Sequence, residues 1–287
     1  MANFCWRCGR ALEPDSQQCF ACGALAARAT ELRLGLPAPA PTQAFPLDFP
    51  LPVADDLGRV MDQGWKLYRK HFWMLARINL LIWGPAFLVQ NLVVYRWDLQ
   101  DELALTFLAS LVQAVLCGAL VGPAQIYSLL SAQRTGSAPP LRLALAWGGT
   151  RWFRLVGYGA LVTLLSFAGL IVFLVPGVII WLIWVFVNEI VSVEAPGAKA
   201  LARSRQLTRG IRLRLLGAAC IAGLLISVCY LAVSMPFHLT NTVDRVDNWW
   251  AATLFDALGS LAYPFLSCIL LVAYLDARRR EAVAGRR

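Results

Sequence analysis

The 287-residue sequence predicts an all-α protein. It reads as a bundle of six transmembrane helices with in-plane amphipathic helices, preceded by a small cysteine-rich N-terminal module. Three observations predict this. Hydrophobic residues make up 59% of the chain and charged residues 15%, where a soluble domain carries roughly 45–50% and about 25%. The apolar residues fall in runs of about 18 or more with few charges, long enough to cross roughly 30 Å of hydrocarbon as helix. The basic residues gather in alternate gaps between those runs.

The N-terminal module, residues 1–30, holds two copies of one pattern: Cys5-Trp6-Arg7-Cys8-Gly9 and Cys19-Phe20-Ala21-Cys22-Gly23. Two CxxC pairs at this separation suit one tetrahedral Zn²⁺, because each pair wraps its thiolates round the metal. The glycine after each pair permits the tight turn of a knuckle. So short a segment buries too little to fold alone, and metal binding supplies its folding energy. Cys5, Cys8, Cys19 and Cys22 are therefore read as ligands of one structural zinc ion in a zinc ribbon. Four thiolates close the coordination sphere and leave no open position for catalysis. Disulfides would need an oxidising compartment, whereas the charge distribution predicts a cytoplasmic location for this end. The first 30 residues also lack the apolar core of a secretory signal, so the first membrane helix is expected to serve as the insertion signal.

Residues 31–55 form a proline-rich linker. From Gly35 to Ala54 the chain holds six prolines in twenty residues, a composition that favours an extended spacer over helix. Two readings stand: a semi-rigid tether, or a docking segment anchored by Phe45 and Phe49.

Residues 56–280 form the membrane domain, with a basic tail at 281–287. Six spans are predicted, at about 72–95, 103–131, 153–175, 178–194, 213–236 and 251–275. Most of the 26 Lys and Arg lie in four segments, 59–71, 132–154, 195–214 and 277–287. That is the positive-inside pattern, and it puts both termini in the cytoplasm. The net charge of +9 and pI near 9.4 are thereby explained by the bilayer surface, and no nucleic-acid partner is expected. Trp65, Tyr68, Trp73, Tyr95, Trp97, Trp152, Trp249 and Trp250 fall near span ends, as interfacial aromatics do.

The spans pair as hairpins, the middle one joined at Pro176-Gly177. Short basic amphipathic stretches precede the hairpins and are expected in the headgroup plane. The first carries Leu57, Val60, Met61, Gly64, Trp65 and Tyr68 on one face. The third carries Leu201, Ser204, Leu207, Thr208 and Ile211. The middle one, from Leu141 to Trp152, is interrupted by Gly148-Gly149. The three units suggest a weak threefold repeat.

From Val175 the chain reads VPGVIIWLIWVFVNEIVSVEAPGAKALARSRQLTRG. Pro-Gly opens a span, an acidic residue closes it, and Ala-Leu, Ser and Leu-Thr precede the next span. The positions are Pro176, Gly177, Glu194, Ala200, Leu201, Ser204, Leu207 and Thr208. This pattern resembles the membrane-domain family of glycerophosphoryl diester phosphodiesterases and its six-helix bacterial relatives, over roughly 55–280. The resemblance implies the six-helix architecture and little about activity. Diesterase chemistry in that family belongs to a separate soluble barrel with a His-Arg-Gly motif. Here neither His71 nor His238 is followed by Arg-Gly.

Charged groups inside hydrocarbon default to functional candidates. Arg77 and Glu189 each lie roughly 8 Å inside the basic edge, at about 1.5 Å per residue. They are read as a candidate intramembrane polar pair, with Asn79 or Asn188 nearby. Snorkelling of Arg77 to the headgroups, or a proton or ion relay, are the other readings. Asp256 and Asp276 are expected at the interface. Gly118 and Gly122 form a GxxxG expected to pack helices closely. Pro85, Pro123 and Pro264 are expected to kink helices. Cys117, Cys220, Cys229 and Cys268 read as small packing residues. No phosphate loop and no HExxH motif is present.

The function expected is that of a non-enzymatic integral protein of the bacterial inner membrane. Its bundle would anchor or organise, and its ribbon would recruit or sense an unidentified cytoplasmic protein. The alternative is a transporter or lipid-handling protein using the bundle interior near Glu189. A homo-oligomer stays open.

Overall fold

A computed structural model of the chain describes residues 3–4, 11–12, 45, 47, 52–97, 99, 102–194, 199–239 and 249–284. The chain divides into two compact units, Met1–Ala40 and Pro41–Arg287. In the first, strands β1 (Asn3–Phe4) and β2 (Ala11–Leu12) pair antiparallel, with Asn3 opposite Leu12. Cys5 and Cys8 lie in the sequence between the two strands.

The second unit is helical throughout its described segments of regular structure. Its first helix, α1 (Leu57–Arg96), starts at Asp56, whose carboxylate accepts from the Arg59 N–H at 2.7 Å and satisfies one of the free donors of the first turn. The expected amphipathic stretch, residues 57–70, is set off from the first span by a kink at His71, whose φ and ψ of −112° and 17° are not helical. Pro85 lies within α1 and Pro123 within α2 (Leu103–Thr135), and neither ends its helix. α2 closes on Gly136 in the left-handed conformation, φ 75°, with its N–H donating to Ala132.

The middle amphipathic stretch, by contrast, is continuous with its span, as α3 (Leu141–Val172). Gly148 does not interrupt it. It is a contact point, where a Cβ would lie 2.8 Å from the Leu120 carbonyl oxygen. The following turn is made by one extended residue, Phe173, at φ −160° and ψ 146°. It therefore comes before Pro176-Gly177, which lie inside the first turn of α4 (Leu174–Trp184). Proline is tolerated there because first-turn N–H groups have no intrahelical acceptor. Gly177 serves the hairpin by proximity, since a Cβ on Gly169 would lie 2.8 Å from its Cα.

The fourth span is broken. α4 ends at Trp184 and α5 (Val187–Val193) begins after Phe186, whose φ and ψ are −90° and 7°. α6 (Ala200–Leu207) is the short amphipathic helix expected there, and α7 (Arg212–Leu239) is the fifth span. The sixth span is also broken, between α8 (Trp249–Ser260) and α9 (Tyr263–Ala284). Its break adjoins Pro264, in the first turn of α9. Among the described residues the three expected repeat units differ in their entry geometry: a kink at His71 in the first, a continuous helix in the second and a separate helix, α6, in the third.

Among the described residues six helical segments are long and apolar enough to cross a bilayer: Leu57–Arg96, Ala104–Thr135, Leu141–Ile171, Val175–Val193, Arg212–Val233 and Trp249–Val283. The most apolar stretch of the last is 61% buried and that of Val175–Val193 is 44% buried, while the other four reach at most 22%. The two broken spans thus form the centre and the unbroken ones surround them. The periphery exposes Leu81, Val89, Phe107, Leu164, Ile171, Leu224 and Leu231. A soluble monomer rarely presents so much contiguous apolar surface, and hydrocarbon matches it.

Close backbone approach inside this bundle is testable at Gly122, where a Cβ would lie 2.3 Å from the Asn188 amide nitrogen. Gly122→Leu is expected to cost about 1–3 kcal/mol through overpacking. Gly84→Leu, with nothing within 4 Å of its Cβ position, is expected to leave the melting temperature in detergent unchanged or raised. Scanning fluorimetry of the two variants checks this, and an unchanged Gly122→Leu protein would refute the contact.

Candidate functional site

The basic end of the fourth span gathers the densest polar contacts in the second unit. A helix leaves its last carbonyls without intrahelical partners. In α5 all four are engaged. Ile190 O accepts from the Glu194 N–H at 2.8 Å and Val191 O from Arg151 Nε at 3.2 Å. Ser192 O accepts from Trp147 Nε1 at 3.1 Å, and Val193 O from the Phe45 N–H at 2.7 Å. The Arg151 guanidinium also lies 3.4 Å over the Trp147 ring. Its positive charge faces a helix C-terminus, where cations are favoured.

Phe45 brings the linker into this arrangement. Its ring meets Tyr127 and Trp147 edge-on, with centroids 6.0 and 6.2 Å away. Tyr127 and Trp147 stack on each other at 5.1 Å. Ala54 is held from both sides. Its N–H donates to Asp276 at 3.2 Å, and its carbonyl accepts from Arg214 and Arg280 at 3.2 Å each. Asp276 is 2% exposed and pairs with Arg279 and Arg280. It is not the interfacial carboxylate the sequence predicts, because the linker backbone and two arginines neutralise it inside the fold. Asp256 is also partly buried. It accepts from Asn91 Nδ2 at 2.9 Å and from the Tyr230 hydroxyl at 3.3 Å, tying α1, α7 and α8. Phe49 lies outside the described residues.

Ser204 and Glu194 act at the break and at the end of α5. Ser204 is fully buried. Its hydroxyl donates to Ile183 O at 2.8 Å and accepts from the Phe186 N–H at 3.3 Å, so one side chain satisfies backbone groups on both sides of the discontinuity. Glu194 ends α5 and its Oε1 accepts from Arg278 Nη1 at 2.7 Å, the Tyr274 hydroxyl at 3.1 Å and Arg203 Nε at 3.4 Å. Arg203 also pairs with Glu281. The Glu281 hydrogen bond and the nearby Glu194 charge hold the Arg203 guanidinium above its ordinary pKa. A raised basic pKa stabilises the fold at every pH below it, so this network loses its arginine charge only in strong alkali. The sixth-span break is sealed in the same manner: Asn79 Nδ2 donates to Ser260 O at 3.1 Å, and the Tyr68 hydroxyl donates to Leu261 O at 2.9 Å.

Arg77 and Glu189 are not brought together. Arg77 is exposed, on the same outward helical face as Trp73 and Leu81. Glu189 is 2% exposed and its Oε2 has no hydrogen-bond partner. Gln125 on α2 is equally buried, with neither side-chain polar atom partnered. Nothing in sequence spacing marks Gln125, Arg151 or Trp147 as interior groups. Their roles depend on which helix each faces.

A cavity of about 760 Å³, open on one side, lies among α2, α3, α4 and α5, with Leu266 of α9 on its wall. It reaches Asn188 but is not lined by Glu189, and its walls are chiefly aliphatic and aromatic. A continuous polar path at Glu189 is therefore not what this interior presents. Cys5, Cys8, Cys19 and Cys22 lie outside the described residues. Among the described residues no group of three or more His, Cys, Asp or Glu is placed to hold a metal ion. No family model matches the chain, and no curated protein or solved structure matches it.

Ser204→Ala removes the partner of a buried N–H and a buried carbonyl at once. It is expected to cost about 1–3 kcal/mol and to speed amide exchange around Phe186. Hydrogen–deuterium exchange at Phe186 reads this directly, and unchanged protection there would show that Ser204 does not seal the break.

Proposed function

We propose that this chain is a non-enzymatic multi-pass protein of the bacterial inner membrane, with both termini cytoplasmic. Its six-helix bundle anchors an N-terminal zinc ribbon that recruits or senses a cytoplasmic protein. The observation that supports an anchoring role is the docked linker: Phe45 and Ala54 are built into the end of the bundle by aromatic packing and backbone hydrogen bonds. A linker meant only to give reach would not need these contacts. The basic segments favour the cytoplasmic orientation, which in turn suits a module that needs reduced thiols. The CxxC spacing favours one structural Zn²⁺ held by Cys5, Cys8, Cys19 and Cys22. The resemblance to the six-helix membrane-domain family agrees with the six-helix architecture.

A second reading, lipid handling, is favoured by the apolar cavity. Transport of a polar solute is not favoured, since such a solute would be desolvated there with few partners.

The test compares full-length protein with Cys5→Ser/Cys8→Ser and Phe45→Ala chains, each extracted in mild detergent from the native membrane. Elemental analysis should give about one zinc per unsubstituted chain, lost in the double cysteine variant. A discrete co-purifying protein should disappear with the zinc and weaken with Phe45→Ala. Retention of the same proteins by the zinc-free chain would overturn the recruiting role, and absence of zinc in the unsubstituted chain would overturn the ribbon.

A further inference from the structure

We propose that the cavity among α2, α3, α4 and α5 binds one acyl chain of a membrane glycerophospholipid, whose ester carbonyl accepts a hydrogen bond from Asn188. This stands whether or not the ribbon recruits a protein, and it gives the lipid-handling reading a definite site.

The first argument comes from two glycines. At Gly122, Gly148 and Gly259 a Cβ would come within 2.3, 2.8 and 2.5 Å of a neighbouring atom, whereas at Gly84, Gly149, Gly157 and Gly223 it would meet nothing within 4 Å. Of the open glycines, Gly118 and Gly159 are the two that line the cavity. A Cβ at Gly118 would meet nothing within 4 Å, and one at Gly159 would meet only Val115 Cγ1 at 3.7 Å. Neither has a positive φ. Neither packing nor backbone conformation demands glycine at these positions, and glycine is a poor helix former. What it provides there is empty volume, on two facing helices at one site. The sequence pattern Gly118-xxx-Gly122 is thus two features. Gly122 packs against Asn188, and Gly118 opens a space.

The second argument is the character of that space. Among its described lining residues there is no Asp, Glu, Lys, Arg or His. A cation would find no carboxylate there, and Tyr158, Thr163, Ser166 and Asn188 are the polar side chains offered to water across about 760 Å³. Left empty, walls of this extent would forfeit their dispersion contacts. The volume, about 760 Å³, falls within the range of small-molecule sites, roughly 300–1,000 Å³. Along α3 the lining extends from Leu155 to Leu170, about 22 Å at a 1.5 Å rise, which is most of the roughly 30 Å hydrocarbon depth. A site within the apolar spans is supplied from the surrounding bilayer, whose abundant elongated apolar ligand is the acyl chain.

The third argument is the polar group at one end. Asn188 lines the cavity and is half-buried. Among the described residues its side-chain amide has no hydrogen-bond partner, although its position against Gly122 fixes it. It lies six residues before Glu194, so roughly 9 Å inside the basic end of the span at 1.5 Å per residue. That is within reach of the ester of a lipid whose headgroup sits at that end. The headgroup itself would lie near the arginines that gather there.

The experiment uses the full chain in nanodiscs of phosphatidylethanolamine and phosphatidylglycerol, doped with phosphatidylethanolamine carrying a diazirine in its acyl chain. Irradiation and peptide mapping locate the adducts. They are expected on α3 between Leu155 and Leu170 and on α4, in addition to the lipid-exposed faces. Gly118→Phe fills the open space and should lower cavity labelling by roughly tenfold or more, equivalent to about 1.4 kcal/mol. Labelling around Leu224 and Leu231, which face outward on α7, should not change. If Gly118→Phe does not fold, Gly159→Leu makes the same test. Cavity labelling that is absent, or that survives filling, overturns the site. An Asn188→Ala chain labelled as strongly as the unsubstituted one overturns the ester contact. Labelling by a diazirine fatty acid but not by the phospholipid overturns the choice of ligand.

Discussion

The structure of the second unit depends on the hydrogen-bond requirements of one interrupted helix. An unpaired backbone group costs several kcal/mol in hydrocarbon, where water cannot replace the missing partner. The fourth span breaks between Trp184 and Val187 and ends at Val193, which creates such groups in its middle and at its end. Ser204 seals the break from α6. Arg151 and Trp147 cover the end from α3, and the Phe45 backbone covers it from the linker. Three separate parts of the chain are therefore held in place by the needs of the break and of the end of α5.

The charged network at the same end follows from this arrangement. Glu194 comes immediately after the last turn of α5 and accepts from Tyr274 and Arg278 of α9 and from Arg203 of α6. Glu194 is largely buried, and leaving it unpaired would be costly. Its three donors bring the most buried span, the amphipathic helix and the fourth span to one carboxylate. The sixth span repeats the logic at its own break, with Asn79 and Tyr68 of α1 replacing Ser204. In both, the irregular backbone is surrounded by protein, which is the condition under which broken helices persist at membrane depth.

Polar residues and small residues divide the interior differently. The central spans concentrate satisfied polar contacts at their breaks and ends. Between α2, α3, α4 and α5 the interior is instead apolar and open, with Gly118 and Gly159 on its walls. Glu189 and Gln125 remain buried with unpartnered atoms outside this space. No physical account of those two groups follows from the contacts around them.

The number of spans, their approximate bounds and the amphipathic character of α6 are legible in the sequence, because hydropathy and helical period are local properties. The paired CxxC motifs are legible for the same reason, as are the basic gaps between spans. Tertiary structure decided what local pattern cannot encode. It put Phe173 rather than Pro176-Gly177 at the hairpin turn, since the close approach of Gly169 and Gly177 sets where two helices can meet. It separated Arg77 from Glu189, because equal depth in the bilayer does not give two residues a common helical face. It buried Asp276 and docked Phe45, because their partners, Ala54 in one case and Tyr127 with Trp147 in the other, are remote in sequence. It also divided Gly118 from Gly122. A sequence records that a side chain is missing, but only the neighbouring helices determine whether that absence makes a contact or a cavity.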